Sequence, residues 1–200
     1  MAEEKKQITV VGVGALGSHV LQFIRNEDVL LRAIDFDRVE AKNTQSQFHG
    51  KQHVGRYKAD AIFELMQFLW RKGVAANRNK ITEDNIEQLL TFLAQPDDLI
   101  VDCLDNGRSR RLVQEYARKN NIPCVHGALA ADGQYGRVVW DKDFVVDDEP
   151  AIGTPTCEGG EHLPFIGIVS SFLAYSIQIW LRTGKHVSFA IPPGGVIHTI

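Results

Sequence analysis

Gln7-Ile8-Thr9-Val10-Val11-Gly12-Val13-Gly14-Ala15-Leu16-Gly17-Ser18 decides the fold. Its first part, Gln7–Val13, is apolar and β-branched, which suits a buried strand. Gly12, Gly14 and Gly17 then give the spacing G-x-G-x-x-G, and Ser18–Arg25 opens a helix. Glycines at such a junction permit a tight turn and a close approach, and the helix amides behind them face an anion. Asp35 ends the next strand, Val29–Asp35, eighteen residues after Gly17. A carboxylate placed there accepts hydrogen bonds from ribose hydroxyls. Taken alone, the fingerprint indicates a nucleotide without saying which one, and strand-on-helix packing is its other use.

The chain continues in the same rhythm. Lys42–His53 is polar and rich in amides, and reads as a loop. Lys58–Trp70 carries apolar residues at helical spacing, and Thr82–Leu93 shows a second helical pattern with Thr82 as its cap. Leu99–Leu104 is a third strand, Arg108–Asn120 a polar helix, and Cys124–Leu129 and Arg137–Trp140 are further strands. Leu163–Arg182 is the last long helix, and Pro192-Pro193-Gly194-Gly195 reads as a turn. Strands alternating with helices predict an α/β fold, a mostly parallel sheet with helices on both faces.

Composition narrows the function. Of 200 residues, 22 are Lys or Arg and 25 are Asp or Glu, a formal charge of -3, so no net basic field recommends nucleic acid. The apolar stretch Leu163–Leu181 is interrupted by Gly167, Ser170, Ser171, Ser176 and Gln178, and reads as a buried helix rather than a membrane span. Cys103, Cys124 and Cys157 lie far apart with no CxxC pair. They build neither a disulfide framework nor a four-cysteine zinc site, and a reducing, cytoplasmic setting is expected.

Later motifs turn the reading away from hydride transfer. Asp35-Phe36-Asp37-Arg38-Val39-Glu40 runs into Asn43 and Gln47; then come Val54-Gly55-Arg56-Tyr57-Lys58-Ala59 and Asp102-Cys103-Leu104-Asp105-Asn106. In this order the blocks resemble those of the ubiquitin-activating-enzyme superfamily of adenylyltransferases, which includes ThiF and MoeB proteins. The resemblance covers roughly residues 7 to 182. It implies one Rossmann-like domain over residues 1–200, with a crossover loop at about 141–162. It also implies ATP and Mg2+ as cofactors and adenylation of the C-terminal carboxylate of a ubiquitin-like or sulfur-carrier protein.

By the same resemblance Gly12, Gly14, Ala15 and Gly17 cradle phosphate, and Asp35 and Asp37 face the ribose side. Asn43 and Gln47 bond the nucleotide or hold the loop, and Asn106 steadies the strand-end turn or approaches the nucleotide. Lys58 offers an ammonium to the phosphates and Asp105 holds the metal. Cys157, in Pro155-Thr156-Cys157, matches a segment that holds a reactive cysteine in many members. It reads either as a nucleophile that takes the carrier as a thioester or as a structural cysteine. A second subunit, as homodimer or heteromeric partner, is expected on the same ground.

Two departures stand out. Ser46 occupies the arginine position of the family's S-N-L-N-R-Q block, and the chain starts almost at the first strand. Arg38, Arg56, Arg108, Arg110 and Arg111 are candidate substitutes, with Arg110 and Arg111 preferred. Two other functions remain open here: a non-catalytic nucleotide-binding half of a heteromeric activating complex, and a nicotinamide-dependent oxidoreductase.

Overall fold

Strand alternation builds the sheet into the middle of the molecule. In β1 (Gln7–Val11), Ile8 and Val10 face one side and Val11 the other. In β2 (Leu30–Ile34), Leu31 and Ala33 face the first side and Ile34 the second; in β4 (Leu99–Asp102), Leu99 and Val101 oppose Ile100. Strands apolar on both faces need helices on both faces. On the first side lie α1 (Ala15–Phe23), α2 (Lys58–Trp70) and α5 (Leu163–Thr183). On the second lie the short α3 (Ile86–Leu90) and α4 (Gly107–Asn120).

The computed structural model describes residues 5–91, 98–130, 133, 135–146, 159–192 and 197–200. Besides β1, β2 and β4 it contains β3 (Val74–Asn77), β5 (Cys124–Leu129), β6 (Gly136–Trp140), β7 (Phe189–Ile191) and β8 (His198–Thr199). The sheet order is β3-β2-β1-β4-β5-β6-β7-β8. Pairing is parallel from β3 through β5 and antiparallel from β5 through β8. The order reverses between β1 and β4; open α/β sheets bind ligands outside the strand carboxyl ends at such a switch point.

The α/β reading and the both-sided helices hold, and three strands are additional. Val74-Ala75-Ala76-Asn77 is short and without alternation, so only its pairing with β2 makes it a strand. The Thr82–Leu93 helix shrinks to Ile86–Leu90, with Phe92 and Leu93 outside the described residues. Thr82 is no cap there; its N–H donates to Asn85 Oδ1 at 2.8 Å. The Lys42–His53 loop contains two short 3-10 turns, Ala41–Gln45 and Lys51–His53.

The length and composition of α5 would let it cross a membrane. Here Ile166, Val169, Leu173 and Ile177 of this helix are fully buried in the larger core. One of its serines is bonded inward: Trp140 Nε1 donates to Ser176 Oγ at 2.9 Å, and that hydroxyl donates to Val187 O at 2.6 Å.

Candidate functional site

The glycine loop is fixed by both neighbouring strands. Gly12 N donates to Ile34 O at 2.9 Å, and Cys103 N donates to Val11 O at 2.8 Å. Gly12 has φ 86°, and a Cβ there would lie 2.8 Å from Cys103 O. A Cβ on Gly17 would lie 1.9 Å from Gly12 O, so only glycine lets α1 start this close to the loop. The start of α1 has Gly14 as N-cap, no side-chain cap and no acid in its first turn. Its first amides therefore have no capping acceptor, the arrangement that attracts an anion.

Asp35 lies buried beside this loop. Its Oδ2 accepts from Val13 N at 2.7 Å and its Oδ1 from Asp37 N at 2.8 Å. Burial raises its pKa, while the Lys58 charge and these two bonds oppose the rise. Each oxygen still has a lone pair free for a hydroxyl. Lys58 is the first residue of α2 and is itself buried. Its ammonium stands 3.3 Å from Asp37 Oδ2, and its N–H donates to Asp37 O at 2.8 Å. A buried ammonium paired with Asp37 differs from an exposed lysine in a helix's first turn.

The segment from Glu40 to His49 is laced onto the loop. Asn43 is buried and closes a capping box with Glu40, its Oδ1 accepting from Glu40 N at 2.9 Å. Of its two expected roles it plays the loop-holding one. Phe48 N donates to Ser18 Oγ at 2.9 Å, and Ser18 Oγ donates to Gly14 O at 2.6 Å. His49 Nε2 donates to Val13 O at 2.9 Å, and His19 Nε2 donates to Ser46 O at 3.1 Å. Gln47 lies next to Gly14, and its Oε1 is buried with no hydrogen-bond partner among the described residues, as is His49 Nδ1. Burial lowers the pKa of His49 to about 4, and the nearby Lys58 charge adds to this.

The other wall is the turn after β4. Asp105 is exposed, and its side chain has no hydrogen-bond or ion-pair partner among the described residues. Asn106 caps α4, its Oδ1 accepting from Ser109 N at 2.9 Å. Asn106 thus steadies the turn, one of its two expected roles. No group of three or more His, Cys, Asp or Glu placed to hold a metal ion exists among the described residues. A lone exposed carboxylate fits magnesium, which takes one or two carboxylates and completes its shell with phosphate and water.

The arginine expectations need correction. Arg110 is buried; it pairs with Asp102 at 3.2 Å and donates to Leu104 O and, at 2.7 Å, to Gly127 O. Its guanidinium is occupied holding β4 to β5, because the buried Asp102 carboxylate requires a partner. Arg38 donates to Gly55 O, Arg56 pairs with Glu64, and Arg108 pairs with Glu83 at 3.1 Å. Arg111 is exposed on α4. Cys157 lies outside the described residues. Burial pushes the Cys103 and Cys124 thiols up, in keeping with their reading as small hydrophobes.

The structure brings Gly12, Gly14, Ala15, Gly17, Asp35, Asp37, Asn43, Gln47 and Lys58 together, with the Asp105–Asn106 turn joined to them through the β1–β4 pairing. Sequence reading missed His49 and the buried network of Asp102, Arg110 and His126. The ThiF family profile matches residues 3–182. The chain belongs to the ThiF family. It is 28% identical over 181 residues to the adenylyltransferase and sulfurtransferase MOCS3 of Caenorhabditis briggsae, covering 86% of this chain. It spans 44% of that relative's length.

Among solved structures this ThiF-family chain is similar to E. coli MccB with AMPCPP and MccA. The TM-score is 0.74 at 15% identity, covering 98% of this chain and 63% of that one. It is also similar to E. coli tRNA N6-threonylcarbamoyladenosine dehydratase, TcdA, in complex with AMP. There the TM-score is 0.66 at 21% identity, covering 90% of this chain and 88% of that one. At these identities the two structures bear on the fold alone.

Proposed function

We propose that this chain is an ATP-dependent adenylyltransferase acting on the C-terminal carboxylate of a ubiquitin-like or sulfur-carrier protein. The observation that carries the reading is the buried Lys58 ammonium beside an uncapped glycine-loop helix, across a sheet switch point from the free Asp105 carboxylate. In the reaction the carrier's carboxylate oxygen bonds to the α-phosphorus of ATP. The bond to the β-phosphate oxygen breaks, and pyrophosphate leaves with that electron pair.

The protein's part is positioning and charge balance. Amides at the start of α1 hold phosphate oxygens, and Asp35 accepts from the ribose hydroxyls. Gln47, whose amide nitrogen lies on the Gly14 side, bonds the nucleotide from the side. Lys58 swings its ammonium from Asp37 toward the phosphates. Asp105 would hold a magnesium ion, whose charge would balance that of the phosphates.

Carrier-dependent exchange of labelled pyrophosphate into ATP tests the proposal, with Asp105→Ala as the control. Exchange in the wild type and its loss in the variant are expected. Normal exchange by Asp105→Ala would remove that residue from the site. A parallel titration with NAD in place of ATP separates the oxidoreductase reading, which the family match leaves without support.

The Cys157 thiolate then attacks the acyl-adenylate, forming a thioester and releasing AMP. Cys157→Ala is expected to retain exchange and lose a thiol-sensitive carrier adduct; persistence of the adduct refutes the role. One observation favours a second reading. Ser46 is buried, Arg38, Arg56, Arg108 and Arg110 are paired elsewhere, and Arg111 is also engaged, which supports a phosphate-facing guanidinium supplied by a partner. On that reading the chain is the nucleotide-binding half of a heteromeric complex, and it binds ATP without exchange until the partner is added. Ile168 and Tyr175, exposed on α5, offer a face for such a subunit or for a second copy.

A further inference from the structure

Behind the Asp105 turn lies a buried charged cluster that the proposed chemistry does not use. Asp102 is fully buried at the end of β4 and stands opposite His126 in the β4–β5 register. Its carboxylate accepts from Leu104 N at 2.9 Å, from Arg110 at 3.2 Å and from His126 Nδ1 at 2.8 Å. The other ring nitrogen of His126 is 3.3 Å from Asp141 Oδ1 and 3.5 Å from Cys124 Sγ. The ring thus stands between two carboxylates. An ionised carboxylate has no hydrogen to give, so both ring nitrogens must carry one and His126 is an imidazolium. Burial disfavours that charge; the hydrogen bonds to the Asp102 and Asp141 carboxylates outweigh it and raise the pKa.

The two ends of this cluster are not equivalent. On one side Asp102 bonds Leu104 N and Arg110 bonds Leu104 O, so the residue before Asp105 is gripped at both backbone groups. On the other side Asp141 and Phe144 begin the segment that leads into residues 147–158. Phe144 lies flat on the His126 ring at 4.0 Å and 7°, and Gln114 donates to Phe144 O at 3.0 Å. Arg118 holds Asp141 from the surface at 2.8 Å.

We propose that His126 is a positioning residue that ties the Asp105 turn to the first residues of the crossover segment. One buried charge then sets both the carboxylate that would hold the metal and the placement of Asp141 to Val146. The proposal rests on the adenylation reading above, since it is there that the Asp105 turn has work to do. A cluster needed only for cohesion has apolar replacements of equal or better stability. A cluster that joins two functional segments needs its bonds at both ends.

Two amide variants cut the ends separately. His126→Asn keeps a donor at the Nδ1 position, toward Asp102, and His126→Gln keeps one at the Nε2 position, toward Asp141. Two quantities are read: the magnesium dependence of ATP binding by calorimetry, and amide hydrogen exchange over residues 142–146 with and without magnesium and ATP. In the wild type, magnesium with ATP is expected to slow exchange over 142–146. His126→Gln, with the Asp102 bond cut, should need about 10- to 100-fold more magnesium. His126→Asn should keep the wild-type magnesium requirement, and both variants should lose the slowing.

Should the amide variants fail to fold, Asp141→Ala cuts the outer bond at a partly exposed position, and its loss of the slowing is the expected result. Wild-type magnesium dependence in His126→Gln, or retained slowing in His126→Asn or Asp141→Ala, would overturn the link alone. A wild type that binds no ATP with magnesium would overturn the adenylation reading, and the link with it.

Discussion

The two walls of the candidate site are built on opposite plans. The wall from Asp35 to Lys58 is held mostly by backbone amides, a hydroxyl and histidines whose pKa burial lowers, with one ion pair, Lys58–Asp37, at its edge. It retains unused capacity at Gln47 Oε1, at His49 Nδ1 and on both Asp35 oxygens. The wall beneath Asp105 is held by formal charges: Arg110, Asp102, His126 and Asp141 neutralise one another in the interior. Spare hydrogen-bonding capacity suits a surface that receives a ligand. Balanced buried charge suits one whose shape must not change, because removing one member exposes the rest to the full desolvation cost. Chemistry is thus expected to fail first at one wall and folding first at the other.

That contrast can be broken most sharply at Arg110. Arg110→Met leaves Asp102 buried without its guanidinium, and a loss of about 3–5 kcal/mol in denaturant unfolding is expected. A loss under 1 kcal/mol by that measurement would dissolve the distinction between the walls. Lys58→Ala is the counterpart on the other side. Pyrophosphate exchange should fall about a hundred- to a thousand-fold, while the unfolding midpoint moves little, because its partner Asp37 is half-exposed and can turn to water.

His49 gives the next effect, through pH. Its folded-state pKa, about 4, lies below that of a free imidazole, so below pH 6.5 the unfolded chain takes up a proton that the folded chain refuses. Stability should therefore fall from pH 6.5 toward 4, by up to about 3 kcal/mol from this group. His49→Gln retains a donor toward Val13 O and should flatten that slope. Unfolding curves at pH 7 and pH 5 measure it, and an equal slope in the variant would remove His49 as the cause. Asn106→Ala is the smallest, at about 1 kcal/mol for a lost helix cap, checked by the shift in midpoint at constant denaturant slope.

The same contrast explains what was legible in the chain. The glycine loop, Asp35 and Lys58 belong to short contiguous motifs whose spacing carries their meaning, and the fold brings them side by side. The charged wall has no such motif. Asp102 and His126 are twenty-four residues apart and meet only because β4 and β5 pair in one particular register. Arg110 was legible as an arginine near the Asp105 turn but not as a buried one, since its direction depends on that same pairing. Strand β3 escaped for a related reason: four residues without alternation become a strand only when β2 supplies the partner. His49 read as one more polar loop residue until the loop folded back on Val13.

The glycine loop's attachment to both neighbouring strands also bears on how tightly it holds a ligand. A loop that becomes ordered only on contact loses about 1–2 kcal/mol of backbone freedom per residue from its binding free energy. Here Gly12 and Val13 are bonded to the second strand and its terminal aspartate, and Val11 to the strand on the other side, before any nucleotide arrives. The entropy of the glycine loop is therefore lost during folding, and affinity for a ligand there is governed by contacts rather than by the cost of closing a loop.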